Sequence, residues 1–290
     1  MTSRATSRNR PTNLFRTGLP VNDALLKAFE QSKAHDVGGL AAEMAYRSAL
    51  AVLPFLLFIA ALPSVAGEVF AIDNVEERLS SEAEALLSEN SAEMVNTLIS
   101  EVARASGWTP LVFGLLGTLW AGTLATSALR KSLDRIYSFD EGASFVERKL
   151  KELGLTVATG LLFFVAIMTV LIGPALMGGE NFLNETLSIL LAFVLVLAAV
   201  SLLYWLAPSG DNMFRWVTPG ALVFGAGWLL FSIGFSAYLS RFGMLNQVYG
   251  SLGVMIALLI WLYGSNLFLL LGAELNSTLA QEKDPNVPRS

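Results

Sequence analysis

The chain has 290 residues, of which 54% are hydrophobic and 15% are charged, and its formal net charge is -5. Soluble domains carry about 25% charged residues, so this composition indicates a membrane protein. The acidic balance argues against a general nucleic-acid surface. Because the sequence contains no cysteine, disulfides, thiol nucleophiles and thiolate metal sites are excluded.

The first 20 residues contain four arginines and no acidic residue, and no apolar signal segment follows them directly. We predict that they form a disordered basic tail on the cytoplasmic side. Residues 21–36 carry apolar side chains at helical spacing, which predicts a short amphipathic helix at the membrane surface. His35, the only histidine, lies at the end of this segment and is predicted to be a surface residue.

Six uncharged runs of 20 to 32 residues lie between consecutive charged residues. Each is long enough to cross a bilayer, which takes about 20 residues of helix, and none alternates as barrel strands do. We therefore predict an all-α polytopic membrane protein with six transmembrane helices plus amphipathic helices outside the membrane. The predicted spans are about 40–66, 108–129, 153–175, 186–206, 216–239 and 250–273, within a single domain, 21–282, that precedes a cytoplasmic tail, 283–290.

Glu43 and Arg47 precede the first uncharged run at positions i and i+4, so they share a helix face and can form an ion pair. This pair either anchors the helix end at the interface or forms a polar wall of a substrate path. The segment 68–107, after the first span, carries nine acidic and two basic residues. We predict that it forms an acidic helical insertion on the periplasmic side, because such acidity does not suit an anionic cytoplasmic leaflet.

The second predicted span contains small residues four positions apart at Gly117, Ala121 and Ala125, a spacing that lets helices approach closely. We expect this helix to be central in the bundle and not to face lipid. After it, Ser144 and Glu147 have the spacing of a capping box, which predicts a short helix leading into the third span.

The distribution of basic residues predicts the orientation. With the N-terminus inside, 15 of the 19 Lys and Arg residues fall in cytoplasmic segments and three in periplasmic ones. Because Lys and Arg concentrate on the cytoplasmic side of bacterial membrane proteins, both termini are predicted to be cytoplasmic.

Three segments together resemble the YihY/BrkB family of bacterial inner-membrane proteins. They read GGLAAEMAYRSALAVLPFLLFIAAL at the first span, LWAGTLATSALRKSLDRIYSFDE at the second, and YGSLGVMIALLIWLYGSNLFLLLGAELNSTL at the last. The likeness extends over roughly residues 20–282. It implies a multi-pass inner-membrane protein without an established activity, in a family that has been labelled both a ribonuclease and a virulence factor.

Nuclease chemistry has little support in the residues themselves. Phosphodiester hydrolysis uses a metal cluster of His and carboxylates or a His-based acid–base pair, and the predicted spans contain no acidic residue inside their uncharged runs. Nor does the sequence contain a GxxxxGK[ST] phosphate-binding loop. We therefore expect no enzyme activity, no cofactor, no metal and no nucleic-acid partner.

Two classes of function remain. The first is a transporter or a lipid or solute translocator, because the predicted topology places several polar residues near the inner face, with one about two turns deeper. The second is a structural or assembly protein that docks a periplasmic or envelope partner through the acidic insertion, and either could form a homo-oligomer in the bilayer. We expect Glu274 to pair with Arg130 or Arg47. The candidate substrate-path residues are Glu43, Arg47, Arg130, Asn266, Glu274 and Asn276.

Overall fold

The computed structural model of the chain describes residues 21–70, 108–139, 144–177, 181–210, 218–241 and 251–283. Their regular secondary structure is helical. The predicted basic tail, the acidic insertion beyond Phe70 and the tail after Lys283 lie outside the described residues. The helices are α1 (Val21–Ala34), α2 (Val37–Phe70), α3 (Trp108–Tyr137), α4 (Phe145–Leu176), α5 (Phe182–Leu206), α6 (Pro219–Arg241) and α7 (Ser251–Lys283).

Six of these helices, α2 to α7, are long and apolar enough to cross a bilayer, which confirms the predicted number of spans. Their surfaces agree with this assignment, because large apolar side chains stand exposed along them, as in Phe113, Phe182 and Leu230. A soluble protein does not expose apolar surface on this scale. The candidate spans are Val37–Ile59, Trp108–Tyr137, Phe145–Val170, Phe182–Leu206, Pro219–Leu239 and Gly253–Gln281.

The helices are longer than the predicted spans. Helix α3 continues past the charged pair Arg130–Lys131 to Tyr137, and α7 continues past Glu274 to Lys283. Ser144 is the N-cap, as the predicted capping box requires of it, since its Oγ accepts a hydrogen bond from the backbone N–H of Glu147 at 3.4 Å. However, the helix that it opens is the start of α4 and not a separate short helix. A charged residue ends an uncharged run in the sequence, but it does not end the helix.

Consecutive helices pack as pairs, α2 with α3, α4 with α5, and α6 with α7. The pairs come together at one end of the bundle, which contains the start of α2, the end of α3, the start of α4, the end of α5, the start of α6 and the end of α7. We call this the α1 end, because α1 also packs there against α7. The main hydrophobic cluster lies at the α1 end and includes Val37, Leu133, Leu155, Val200, Phe224 and Leu270.

Helix α7 shows the difference between the two ends most clearly. Between residues 269 and 279, every residue except Leu271 and Asn276 is buried. Near the other end of α7, the consecutive residues 254–256 are all exposed, although they point in different directions around the helix. Within the part of the chain that the structure describes, α7 is therefore enclosed at the α1 end and uncovered at the opposite end.

Helix α3 packs closely on α2 through small residues. A Cβ on Gly114 would lie 2.6 Å from the backbone nitrogen of Phe58, and Ala121 is fully buried. The expectation that this helix avoids lipid is wrong, however, because Phe113 and Trp120 on its other side are exposed. Small residues mark the face of α3 that packs against α2. They do not show whether the other side of α3 is covered by protein.

Helices α6 and α7 cross at two glycines. A Cβ on Gly220 would collide with the carbonyl oxygen of Gly272, and a Cβ on Gly272 would collide with the carbonyl oxygen of Gly220. Close approach of two backbones at small residues is a common source of helix association in membranes. The crossing holds the start of α6 against the end of α7.

Replacing Gly220 with alanine should therefore force the two helices apart. Overpacking of this kind costs about 1–3 kcal/mol, which should lower the thermal unfolding midpoint of the purified protein in detergent. Gly234→Ala on the same helix is the matched control, because a Cβ there meets no atom within 4 Å. Equal midpoints for the two variants would contradict the described crossing.

Candidate functional site

One polar stretch of α7, Glu274–Thr278, connects several helices at the α1 end. We call it the polar turn. Successive side chains on a helix point about 100° apart, so neighbouring residues reach different partners. Thr278 contacts α1, Glu274 contacts His35 in the turn directly after α1, Asn276 contacts the start of α6, and Ser277 contacts the end of α3.

Glu274 is fully buried and pairs with His35. Its Oε1 lies 2.6 Å from Nδ1 of His35, which is itself buried, at 7% exposure. The second carboxyl oxygen, Oε2, is buried without a hydrogen-bond partner. Burying a carboxylate costs free energy unless it is paired and hydrogen-bonded. Glu274 is therefore the side chain of the polar turn whose burial costs the most free energy.

Asn276 completes the N-terminal cap of α6. Thr218 is the N-cap residue, and its Oγ1 accepts a hydrogen bond from the backbone N–H of Ala221 at 3.1 Å. Pro219 follows at the first helical position, which it favours. Asn276 accepts a hydrogen bond from the backbone N–H of Gly220 at 2.8 Å and donates one to the hydroxyl of Thr218 at 3.1 Å. Together they satisfy N–H groups that a helix start leaves unpaired.

The two hydroxyl residues of the polar turn attach α3 and α1. Ser277 donates a hydrogen bond to the carbonyl oxygen of Ile136 at 3.0 Å. The hydroxyl oxygen of Thr278 lies 2.7 Å from Oε1 of Gln31. Nε2 of Gln31 also donates a hydrogen bond to Oε1 of Gln281 at 3.4 Å. Such contacts between helices replace the hydrophobic driving force that is missing in a bilayer.

Arg130 belongs to a separate cluster that joins α3, α4 and the turn after α5. Its Nε donates to Glu152 at 3.0 Å and its Nη1 donates to Asp134 at 2.9 Å. Lys149 donates to the other oxygen of Glu152 at 2.7 Å. Asp134 also accepts from the backbone N–H of Ser209 at 2.6 Å. Both carboxylates are buried, and every oxygen of theirs has a partner, so this cluster is a satisfied ionic network.

Glu43 and Arg47 form the predicted i,i+4 ion pair, with 2.6 Å between Arg47 Nη2 and Glu43 Oε1. The pair is partly exposed, and Arg47 also donates to the carbonyl oxygen of Leu124 on α3. Asn266 lies on α7 about two turns from Glu274 and donates to the carbonyl oxygen of Leu262 on its own helix. The six candidate residues are thus distributed over four places, and only Glu274 and Asn276 share the polar turn.

The predicted pairing of Glu274 with Arg130 or Arg47 is wrong. Arg130 faces Glu152 and Asp134, Arg47 faces Glu43, and the partner of Glu274 is His35. The prediction of a surface position for His35 is also wrong. Helix α1 turns its polar face towards α7 and leaves Leu26 and Phe29 exposed, so the histidine lies between two helices.

Sequence reasoning missed His35, Gln31 and Glu152 as members of these clusters. A signal for the first two exists in the sequence, because Ala28, Gln31 and His35 recur at helical spacing along α1. That row of small and polar residues suits a protein partner, whereas the row with Leu25 and Phe29 suits lipid. The position of Glu152 has no such signal, since its cluster depends on how the start of α4 packs against α3.

Within the described residues, no group of three or more His, Cys, Asp or Glu side chains is placed to share a metal ion. The chemistry of the site is therefore hydrogen bonding between helices, together with one carboxyl oxygen that has no partner. A carboxyl and an imidazole at 2.6 Å can share a proton between them.

The two ionic sites should differ sharply in their effect on stability. Arg130→Gln would leave Asp134 and Glu152 buried without their shared cation, and breaking a buried network costs about 3–5 kcal/mol. Arg47→Gln would break a partly exposed pair, which is worth about 0.2–1 kcal/mol. The thermal unfolding midpoint in detergent should fall much further for Arg130→Gln, and similar midpoints would contradict the described network.

Comparison with known proteins agrees with this architecture. The chain is 29% identical over 273 residues to a Bacillus subtilis (strain 168) protein named putative ribonuclease-like protein YfkH, covering 89% of this chain and 96% of the relative. It is 28% identical over 252 residues to a UPF0761 membrane protein of Rhodospirillum rubrum, covering 82% of this chain and 54% of that relative.

A UPF0761 membrane protein of Pseudoalteromonas translucida is 26% identical over 144 residues, which are 43% of this chain and 48% of the relative. The chain thus matches about half the length of each of these two relatives. No solved structure matches the chain. The family described as Virulence factor BrkB matches residues 28–290, nearly the whole chain. The chain therefore belongs to the Virulence factor BrkB family of multi-pass membrane proteins.

Proposed function

We propose that the protein moves a solute or a lipid across the bacterial inner membrane, and that the polar turn closes the α1 end of the bundle as a gate. The observation that carries this proposal is the burial of Glu274 with Oε2 unpartnered. Ionisable side chains inside membrane proteins are expensive and commonly mark substrate or ion pathways. A residue that only held helices together would not need a charge.

The shape of the bundle supports a gate at this position. The polar turn lies where α1, α3 and α6 meet α7, and the residues around it are buried. Towards the opposite end, the described residues leave α7 uncovered at positions 254–256. In alternating access, parts of a bundle move against one another around a buried site, and such a movement at the α1 end would have to break the contacts of the polar turn.

The proposed path includes fewer residues than the six expected from the sequence. Glu274, Asn276 and Asn266 lie on α7 and are the residues that we propose for the path. Arg130 is engaged in the satisfied network and has a framework role. The partly exposed pair of Glu43 and Arg47 is proposed as an anchor of α2 at the interface, the first of the two roles that its spacing allows.

The proposed orientation places the α1 end and both termini in the cytoplasm. It is supported by the 15 of 19 Lys and Arg residues that this orientation puts on the inner side. The acidic insertion would then be periplasmic. Lipid is the proposed neighbour of the exposed apolar surface, and a second copy of the chain could cover part of it.

A ribonuclease function, which the name of the Bacillus subtilis relative mentions, has no support in the site. The single histidine of the chain is buried against Glu274 at a helix–helix contact. An RNase of the acid–base type needs such groups within reach of the scissile phosphate. We therefore propose no nuclease chemistry and no nucleic-acid partner for this chain.

A docking role is the second candidate, and the nine acidic residues in 68–107 favour it. Such a segment would bind a basic patch on an envelope protein by charge complementarity. Deleting residues 70–104 distinguishes the two functions. Loss of a co-purifying partner with unchanged flux would favour docking, and intact partner binding would count against it.

Transport can be measured with purified protein in liposomes by following release of trapped solutes and scrambling of fluorescent lipids. We expect the native protein to move at least one class of probe. Glu274→Gln should slow this movement by about tenfold or more, which corresponds to a barrier change of only ~1.4 kcal/mol. Glu43→Gln, at the partly exposed pair, is the control and should leave flux nearly unchanged.

The proposal would be wrong if no probe moved faster than in empty liposomes, or if Glu274→Gln and Glu43→Gln transported alike. Circular dichroism and elution as a single species would establish that both variants are folded.

The orientation can be tested with single cysteines, because the native chain has none. In intact cells, Glu82→Cys should react with a membrane-impermeant maleimide. Ser144→Cys should react only after the inner membrane has been opened. The reverse pattern would contradict the proposed orientation.

A further inference from the structure

We propose that His35 and Glu274 form a proton-binding site, and that the single proton they share holds α1 against α7. The ligand is a proton taken from water at the α1 end. This inference rests on the proposed function for one point only, the role of the proton as a coupling ion. Proton binding and the docking of α1 can be tested without any transport.

The argument begins with the net charge of the pair. With two protons the pair carries +1, with one proton it is neutral, and with none it carries -1. The side chains are 9% and 0% exposed, so a net charge on the pair would be buried. A buried net charge is strongly disfavoured, and the docked arrangement therefore selects the state with one proton.

Among the residues that the structure describes, no other charged group contacts the pair, since the nearby Lys33 lies over the ring of Phe29. The turn between α1 and α2 presents His35 and Asp36, and the carboxylate of Asp36 accepts a hydrogen bond from the N–H of Gly39 at the start of α2. Helix α3 presents the phenol of Tyr137, and α5 presents that of Tyr204, which donates to the carbonyl oxygen of Leu269. Phenols ordinarily stay uncharged up to about pH 10.

From α6, the groups at the polar turn are Thr218 and the N–H of Gly220, which do not titrate. The carboxylate and guanidinium groups of the Arg130 cluster are paired with one another and with Lys149. The shared proton is therefore what makes the His35–Glu274 pair electrically neutral.

Helix α1 is attached in a way that allows it to leave. Its contacts with α7 are the pair itself, the Gln31 contacts, and Ala28 packed near Leu275 and Leu279. The exposed side chains of α1 are apolar at Leu26 and Phe29 and charged at Lys27, Glu30 and Lys33, which suits a helix that lies at the membrane interface. A movement of α1 along that interface would keep its apolar side chains in lipid and would expose Glu274 to water.

A route for water lies next to the pair. An open cleft of about 370 Å³ has Ser32 and Asp36 on one wall, beside His35, and Leu271 on the other, about one turn from Glu274. Lys33 also lines this cleft. Movement of α1 would widen it and expose the pair to the water at the α1 end.

The direction of the pH effect follows from linkage. A ligand that binds one conformation better stabilises that conformation, and the coupling is reciprocal. Because the docked pair holds one proton, loss of this proton as the pH rises should weaken docking. Replacing Glu274 with glutamine should reverse the direction of the pH effect. The glutamine side chain cannot ionise, so the pair is neutral when the imidazole is neutral, and an added proton on His35 at low pH would bury a positive charge.

The test follows the labelling of a buried cysteine in full-length protein in lipid nanodiscs. Ala28→Cys places a thiol on the face of α1 that packs near Leu275 and Leu279, and Leu26→Cys places one on the exposed face of the same helix. The ratio of their maleimide reaction rates removes the intrinsic pH dependence of thiol reactivity.

We expect this ratio to rise severalfold as the pH increases from about 5 to about 9, because loss of the shared proton weakens docking. In the Glu274→Gln background it should instead rise as the pH falls. The exchanged variant His35→Glu with Glu274→His should restore the native sign. A ratio that ignored pH in the native protein, or that moved in the same direction in Glu274→Gln, would overturn the proposal.

A second measurement keeps the proposal testable if Glu274→Gln does not fold. Because the chain has one histidine, ¹⁵N-histidine labelling of protein that carries no histidine tag gives the imidazole signals of His35 alone. These signals should change over the same pH range as the labelling ratio. Imidazole signals that titrate while α1 stays docked, or that never change, would refute the shared proton.

The two proposals can fail separately. Proton-linked docking without flux of any probe would leave the proton site in place and reject transport. Flux that needs Glu274 but ignores a pH gradient, together with docking that ignores pH, would retain transport and reject the proton site.

Discussion

The structure depends on hydrogen bonds between helices at the α1 end. In a bilayer, lipid solvates apolar side chains as well as another helix does, so burial alone does not hold a bundle together. The polar turn supplies this attachment, because Glu274, Asn276 and Ser277 reach the turn after α1, the start of α6 and the end of α3. The crossing of Gly220 and Gly272 brings the backbones close enough for Asn276 to cap α6.

Two buried ionic groups stand at this end, and they differ in one respect. In the Arg130 network each carboxylate oxygen has a donor, so the network can fix the geometry of α3, α4 and the turn after α5. At Glu274 one oxygen has a donor or shared proton and the other has nothing. A network in which every polar atom has a partner favours a single arrangement of its helices. A carboxyl with one unpartnered oxygen favours movement, because water could supply the missing hydrogen bond.

The sequence was sufficient for the number and approximate position of the spans, because a run of about 20 residues without charge has few alternatives in a helical membrane protein. It did not predict the helix ends, since α3 and α7 continue past Arg130 and Glu274, where the uncharged runs end. It also mispaired Glu274, because the choice among several nearby charges depends on how each helix is rotated about its axis. His35 was missed for a related reason: in a membrane protein the polar face of a helix can be the one that packs against protein.

The central claim is that α1 must separate from α7 for the gate to open. It can be tested by joining the two helices with a short thiol cross-linker between Ala28→Cys and Leu279→Cys, in a chain that has no other cysteine, and by measuring flux in liposomes before and after the link is cleaved. The account predicts that the linked protein does not transport and that cleavage restores flux to the level of the unlinked variant. Equal flux in the linked and cleaved protein would contradict it.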